Sequence, residues 1–129
     1  MATTILIADD HDDNRELLQL LLTGAGYEVS AAKDGKQCLE MAREHQPHMI
    51  IIDLSMPVLD GWGVVRALRA DNRTKTIPCM AVTAHAELSR TEALETGFNA
   101  YVSKPFRADE LLKTIENVLS NRKPVDQRN

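Results

Sequence analysis

An alternation constrains this chain more than any other feature. Short apolar runs rich in Ile and Val recur between longer stretches whose apolar residues lie three or four apart. The first pattern suits buried strands and the second suits amphipathic helices. The spacing predicts strands at 4–8, 27–31, 49–53, 77–83 and 100–103. It predicts helices at 13–24, 35–45, 61–71, 86–96 and 107–120. Gly24 and Gly26 close the first helix, Asp34 with Gln37 reads as a capping box for the second, and Pro47 keeps that helix from continuing. Leu17, Leu18, Leu20, Leu21 and Leu22 give the first helix a broad apolar face. Val64, Val65 and Leu68 face inward from the third, and Leu111, Leu112, Ile115, Val118 and Leu119 from the last.

Five strands alternating with five helices call for an α/β fold, a parallel sheet covered on both faces. With 129 residues there is enough chain for one core. No repeat or linker divides it, so we expect one domain over 1–120 and a polar tail over 121–129. Fifteen basic against nineteen acidic residues leave a net charge of −4, which argues against direct nucleic acid binding and against an anionic membrane surface. The start carries no signal peptide, no apolar run is long enough for a membrane helix, and Cys38 and Cys79 read as two buried thiols. The expected location is cytoplasmic.

In a parallel sheet the carboxyl ends of the strands share one edge, and ligands bind there. Four strands end in polar residues. Asp9 and Asp10 follow the first, Asp53 ends the third, Thr83 ends the fourth, and Lys104-Pro105 follows the fifth. Three crowded carboxylates repel one another unless a cation joins them, and an all-oxygen set suits Mg²⁺. Lys104 and Thr83 add a positive charge and a hydroxyl for an anion. The set is built to hold a phosphoryl group beside Mg²⁺, and a carboxylate can take that group as an acyl phosphate.

At these residues the chain resembles the receiver domains of bacterial two-component response regulators. Asp9-Asp10, D-L-S-M-P-V-L-D-G from Asp53, T-A from Thr83 and Y-V-S-K-P-F from Tyr101 carry the resemblance, which spans about 4–120. It implies a doubly wound (βα)5 sheet of order 2-1-3-4-5. It implies that Asp53 is the phosphoacceptor, served by a histidine kinase or histidine phosphotransfer protein. Asp10 and Asp53 would hold Mg²⁺ by side chain, Ser55 by its backbone carbonyl and Asp9 through water. Lys104 would pair with the phosphoryl oxygens, with a cis Lys104-Pro105 bond. Thr83 and Tyr101 would form the switch, changing the surface of the fourth helix, fifth strand and fifth helix toward a downstream protein. Ser55 and His85 would tune the acyl phosphate lifetime. The region of Asn14, Arg15, Leu18 and Phe106 would dock the kinase. On this view the protein is no enzyme but promotes its own phosphorylation and dephosphorylation, as a monomer or weak dimer. The Met1 start and short tail favour a stand-alone regulator. A binding module without phosphorylation, an aspartyl-phosphate phosphatase and a flavin carrier fit less well. Respectively, the polar set is complete, strand 1 reads A-D-D-H-D-D without the phosphatase threonine, and that acidic run would repel a flavin phosphate.

Overall fold

The structure, a computed structural model, describes residues 3–54, 56, 59–83 and 90–120. Ten elements alternate: β1 (Thr4–Ala8), α1 (Asp12–Gly24), β2 (Glu28–Ala32), α2 (Gly35–His45), β3 (Met49–Asp53), α3 (Gly61–Arg69), β4 (Cys79–Thr83), α4 (Arg90–Thr96), β5 (Ala100–Ser103) and α5 (Ala108–Ser120). All strand pairs are parallel, in the order β2-β1-β3-β4-β5. This is the doubly wound (βα)5 sheet that the resemblance implies.

Successive strand residues point to opposite faces, and the core divides accordingly. Leu6, Ala8, Ile50, Ile52 and Ala81 join Cys38 and Ala42 of α2, Val64, Val65 and Leu68 of α3, and Ala93 of α4. Ile5, Ile7, Met49, Ile51, Met80 and Val82 join Leu18 and Leu22 of α1 and Leu111 and Ile115 of α5. Every residue of β3 and β4 is buried. Each fully buried Ile or Leu contributes roughly 1.5–3 kcal/mol of transfer free energy, and β1 and β3 bury Ile5, Leu6, Ile7, Ile50, Ile51 and Ile52 between them.

Caps follow the sequence closely. The Asp34 carboxylate accepts from Gln37 N–H at 2.8 Å, while Gln37 Oε1 accepts from Lys33 N–H at 2.8 Å. Asp60 caps α3 through Gly63 N–H at 2.9 Å. Several expectations need correction. The sequence offers Asp12 or Asp13 as the N-cap of α1, but that position belongs to His11, whose side chain makes no cap bond, and both aspartates lie in the first turn. Leu17 and Leu20 are 60% and 74% exposed, so the apolar face of α1 is narrower than its leucines suggest. The third helix ends at Arg69, not 71, because the Asp71 carboxylate turns back to accept from Arg73 N–H at 2.9 Å. The second strand begins at Glu28 and the fourth at Cys79, after Pro78, which has no N–H to give a ladder. Of the expected fourth helix, 90–96 is helical, and 84–89 lies outside the described residues, as does the tail 121–129.

One guanidinium ties several connections together. Arg69, the last residue of α3, donates to the carbonyls of Lys75, Ile77 and Gly97 and to Asn99 Oδ1, at 2.7–3.0 Å. Gly97 closes α4 at φ +129°, a left-handed conformation that favours glycine.

Candidate functional site

Strand order decides which side chains meet. The chain runs from β1 outward to β2, then returns to β3 on the other side of β1, so the switch point lies between β1 and β3. Ala8 pairs with Ile52 across that junction. The next residues, Asp9 and Asp53, are therefore neighbours at the carboxyl edge. Both are buried, at 2% and 4% exposure. Thr83 is fully buried at the end of β4, in the register row that pairs it with Ser103.

Lys104 reaches this edge from the end of β5. Its backbone N–H donates to the Thr83 carbonyl at 2.7 Å, and its peptide bond to Pro105 is cis. Its Nζ lies 4.0 Å from Asp9 Oδ2 and 3.9 Å from Asp53 Oδ2.

The electrostatics are unbalanced. Burial pushes the Asp9 carboxyl above its usual range. The Asp53 charge adds to that, while the His11 amide, Lys104 and the His11 ring oppose it. The His11 N–H donates to Asp9 Oδ1 at 2.8 Å. Asp10 Oδ1 is shielded from solvent and accepts no hydrogen bond. His11 Nδ1 stands 3.2 Å from it, outside hydrogen-bonding geometry. Three carboxylates against one ammonium leave negative charge in excess, and a buried carboxylate oxygen with no donor is what a cation would satisfy. Asp9, Asp10, His11 and Asp53 each offer one ligand atom, all within 4.8 Å of one another. That set fits a hard or borderline dication.

The structure thus brings Asp9, Asp10, Asp53 and Lys104 together, with Thr83 beside them. Tyr101 lies on β5, partly buried against the core on the α2, α3 and α4 side. Ser55 and His85 lie outside the described residues. Asn14, Leu17, Leu18 and Phe106 line a groove of about 490 Å³ that runs to Asp9, Lys104 and Pro105. Arg15 turns inward, donating to the Asp9 carbonyl at 2.9 Å and pairing with Asp12, so it braces the acidic loop and offers less to a partner than its sequence position suggests. Nothing in the sequence assigns His11 a role. Its adjacency to Asp10 acquires meaning only when the loop folds the ring back over the carboxylates.

Comparison with known proteins agrees with this geometry. Residues 5–116 match the response regulator receiver domain family. The polar-differentiation response regulator DivK of Brucella anthropi is 33% identical, over 94% of this chain and 99% of its own length. The receiver domain of a Pseudomonas aeruginosa sensor histidine kinase, solved with a magnesium ion coordinated in its active site cleft, is 30% identical with a TM-score of 0.86, over 93% of this chain and 99% of its own. Chemotaxis protein CheY4 of Vibrio cholerae is 33% identical with a TM-score of 0.84, over 92% and 99%. Among the described residues no helix is long and apolar enough to cross a membrane.

Proposed function

Because the chain belongs to the response regulator receiver domains of two-component systems, we propose that it is a switch operated by a phosphoryl group carried on Asp53. One observation carries the assignment. At the switch point, Asp53 is the carboxylate on the rigid central strand β3, with Lys104 Nζ 3.9 Å from its Oδ2 and the acidic pair beside it.

A carboxylate oxygen of Asp53 attacks the phosphorus of a phosphohistidine. The new O–P bond forms as the P–N bond breaks, and that electron pair returns to the donor imidazole. Lys104 pairs with the phosphoryl oxygens as charge builds on them. Asp10 and Asp53 would hold Mg²⁺ by side chain, with Ser55 and Asp9 completing the set as the resemblance implies, and the bound ion would supply positive charge against the crowded carboxylates. The Thr83 hydroxyl then donates to a phosphoryl oxygen, and Tyr101 turns inward toward the space this leaves. The surface of α4, β5 and α5 changes with it, so phosphorylation biases a two-state equilibrium read by a downstream protein. Water later attacks the phosphorus, the acyl O–P bond breaks, and phosphate leaves with the Asp53 carboxylate restored, at a rate that Ser55 and His85 would tune. The chain is thus a phosphoacceptor that promotes its own phosphorylation and dephosphorylation.

The donor is a histidine kinase or histidine phosphotransfer protein, docking on the groove formed by Leu17, Leu18 and Phe106, which leads to Lys104. The receiver domain spans 1–120, with 121–129 as a tail. Two free thiols suit the reducing cytoplasm. The acidic net charge supports protein rather than nucleic acid partners, and the switch works as a monomer or weak dimer.

Intact-protein mass after incubation with acetyl phosphate tests this reading. A gain of one phosphoryl group, only with Mg²⁺ and absent in Asp53→Asn, is the expected result. A folded chain that takes no phosphoryl group from acetyl phosphate or from a phosphohistidine donor overturns it.

A further inference from the structure

His11 has chemistry that the phosphoryl reaction does not use. A neutral imidazole carries a lone pair on one ring nitrogen and is a good ligand for first-row transition dications, whereas Mg²⁺ prefers oxygen. The His11 Nδ1 lies 3.4 Å from Asp9 Oδ1 and 3.2 Å from Asp10 Oδ1. Ligand atoms in adjacent positions around an octahedral ion at 2.0–2.1 Å stand about 3 Å apart, close to the separation of His11 Nδ1 from Asp10 Oδ1. The ring is 62% exposed and makes no helix-cap bond, so it is not engaged in holding α1. The loop itself is fixed from the backbone, by the His11 amide on Asp9 and by Arg15 on the Asp9 carbonyl. Asp10 Oδ1, next to the ring, is buried without a donor.

We propose that His11 Nδ1 is a further ligand of the cation site and sets its selectivity, adding to the affinity for imidazole-binding dications such as Ni²⁺ and Cu²⁺ while adding nothing for Mg²⁺. The inference rests on the reading of Asp9, Asp10 and Asp53 as the cation site.

Calorimetric titration of the full chain with MgCl₂ and NiCl₂, repeated on His11→Asn and Asp10→Asn, separates the two claims. Pulsed electron paramagnetic resonance of the Cu²⁺ complex adds a direct readout of a bound nitrogen. Loss of one ligand predicts that His11→Asn weakens Ni²⁺ by about tenfold or more while Mg²⁺ changes by less than about threefold. Excess Mg²⁺ displaces the Ni²⁺, Asp10→Asn weakens both ions, and the nitrogen coupling to Cu²⁺ from this site disappears in His11→Asn. Unchanged Ni²⁺ affinity in His11→Asn, equal loss of both ions, or a Cu²⁺ nitrogen coupling that persists in His11→Asn overturns the role of His11. If the unmutated chain binds no Mg²⁺ at all, the cation-site reading fails as well.

Discussion

The Lys104 ammonium stands almost midway between two buried carboxylates, 4.0 Å from Asp9 Oδ2 and 3.9 Å from Asp53 Oδ2. At those separations it is a shared counter-charge and not a hydrogen-bonded partner of either. An incoming phosphoryl group can therefore draw it toward Asp53 without breaking a close ion pair.

Replacing Lys104 with Met should leave the fold intact and slow phosphorylation by acetyl phosphate. A lost charge clamp on a developing anion costs roughly 10²-fold or more in rate. Time-resolved intact mass measures it, and a rate within about twofold of the unmutated chain would remove Lys104 from the reaction.

Asp9→Asn should stabilise the chain when no divalent ion is present. Asp9 has its carboxyl held above the ordinary value of 3.8 by burial. Over the interval from that value up to the raised one, the folded state holds more protons than the unfolded state. Stability therefore falls as pH rises across it, and the penalty is complete above the raised value. Asparagine cannot ionise, so the variant should melt a few degrees higher at neutral pH. The gain should vanish once pH drops below 3.8, where both states of the unmutated carboxyl are protonated. Melting curves across pH decide it.

Gly61→Ala should damage both stability and chemistry. A Cβ there would lie 2.8 Å from the Asp53 carbonyl oxygen and 2.8 Å from Leu54 Cα, both main-chain atoms that cannot step aside alone. The expected cost is about 1–3 kcal/mol, with slower phosphorylation because the displaced peptide carries the acceptor. At Gly24 nothing lies within 4 Å, so Gly24→Ala should instead stabilise by roughly 0.5–1 kcal/mol. Denaturant melts of the two variants should move in opposite directions.

Cys38 and Cys79 should resist thiol reagents in the folded chain. Burial removes access and pushes the thiols up to about 12 and about 11, leaving little thiolate. Both should react together when denaturant unfolds the domain. Rapid labelling of either in native buffer would contradict the core described above.

Much of this was legible in the chain because burial and hydrophobic period are the same signal. Met49–Asp53 and Ala100–Ser103 match their predicted bounds, since each is a short apolar run bounded by polar or helix-breaking residues. The site residues were legible because a parallel sheet sends every strand end to one edge. What escaped is what period cannot encode. Leu17 and Leu20 are apolar yet point to solvent, because composition gives a helix its apolarity but not its orientation. His48 gave no sign in sequence that its Nδ1 would accept from Thr4 N–H at 3.0 Å, a contact 44 residues away that joins the starts of β1 and β3. His11 escaped for the same reason, since its ring meets the carboxylates only once the loop after β1 is fixed.

Arg69 gives the α3 and α4 layer a mechanical asymmetry. Its guanidinium fastens the Gly97 carbonyl, and with it the end of α4, to the last turn of α3 and the loop before β4. That end of α4 is the anchored one. If the proposed switch displaces α4, the helix would pivot about Gly97, and a partner reading the change would gain most by gripping the opposite end.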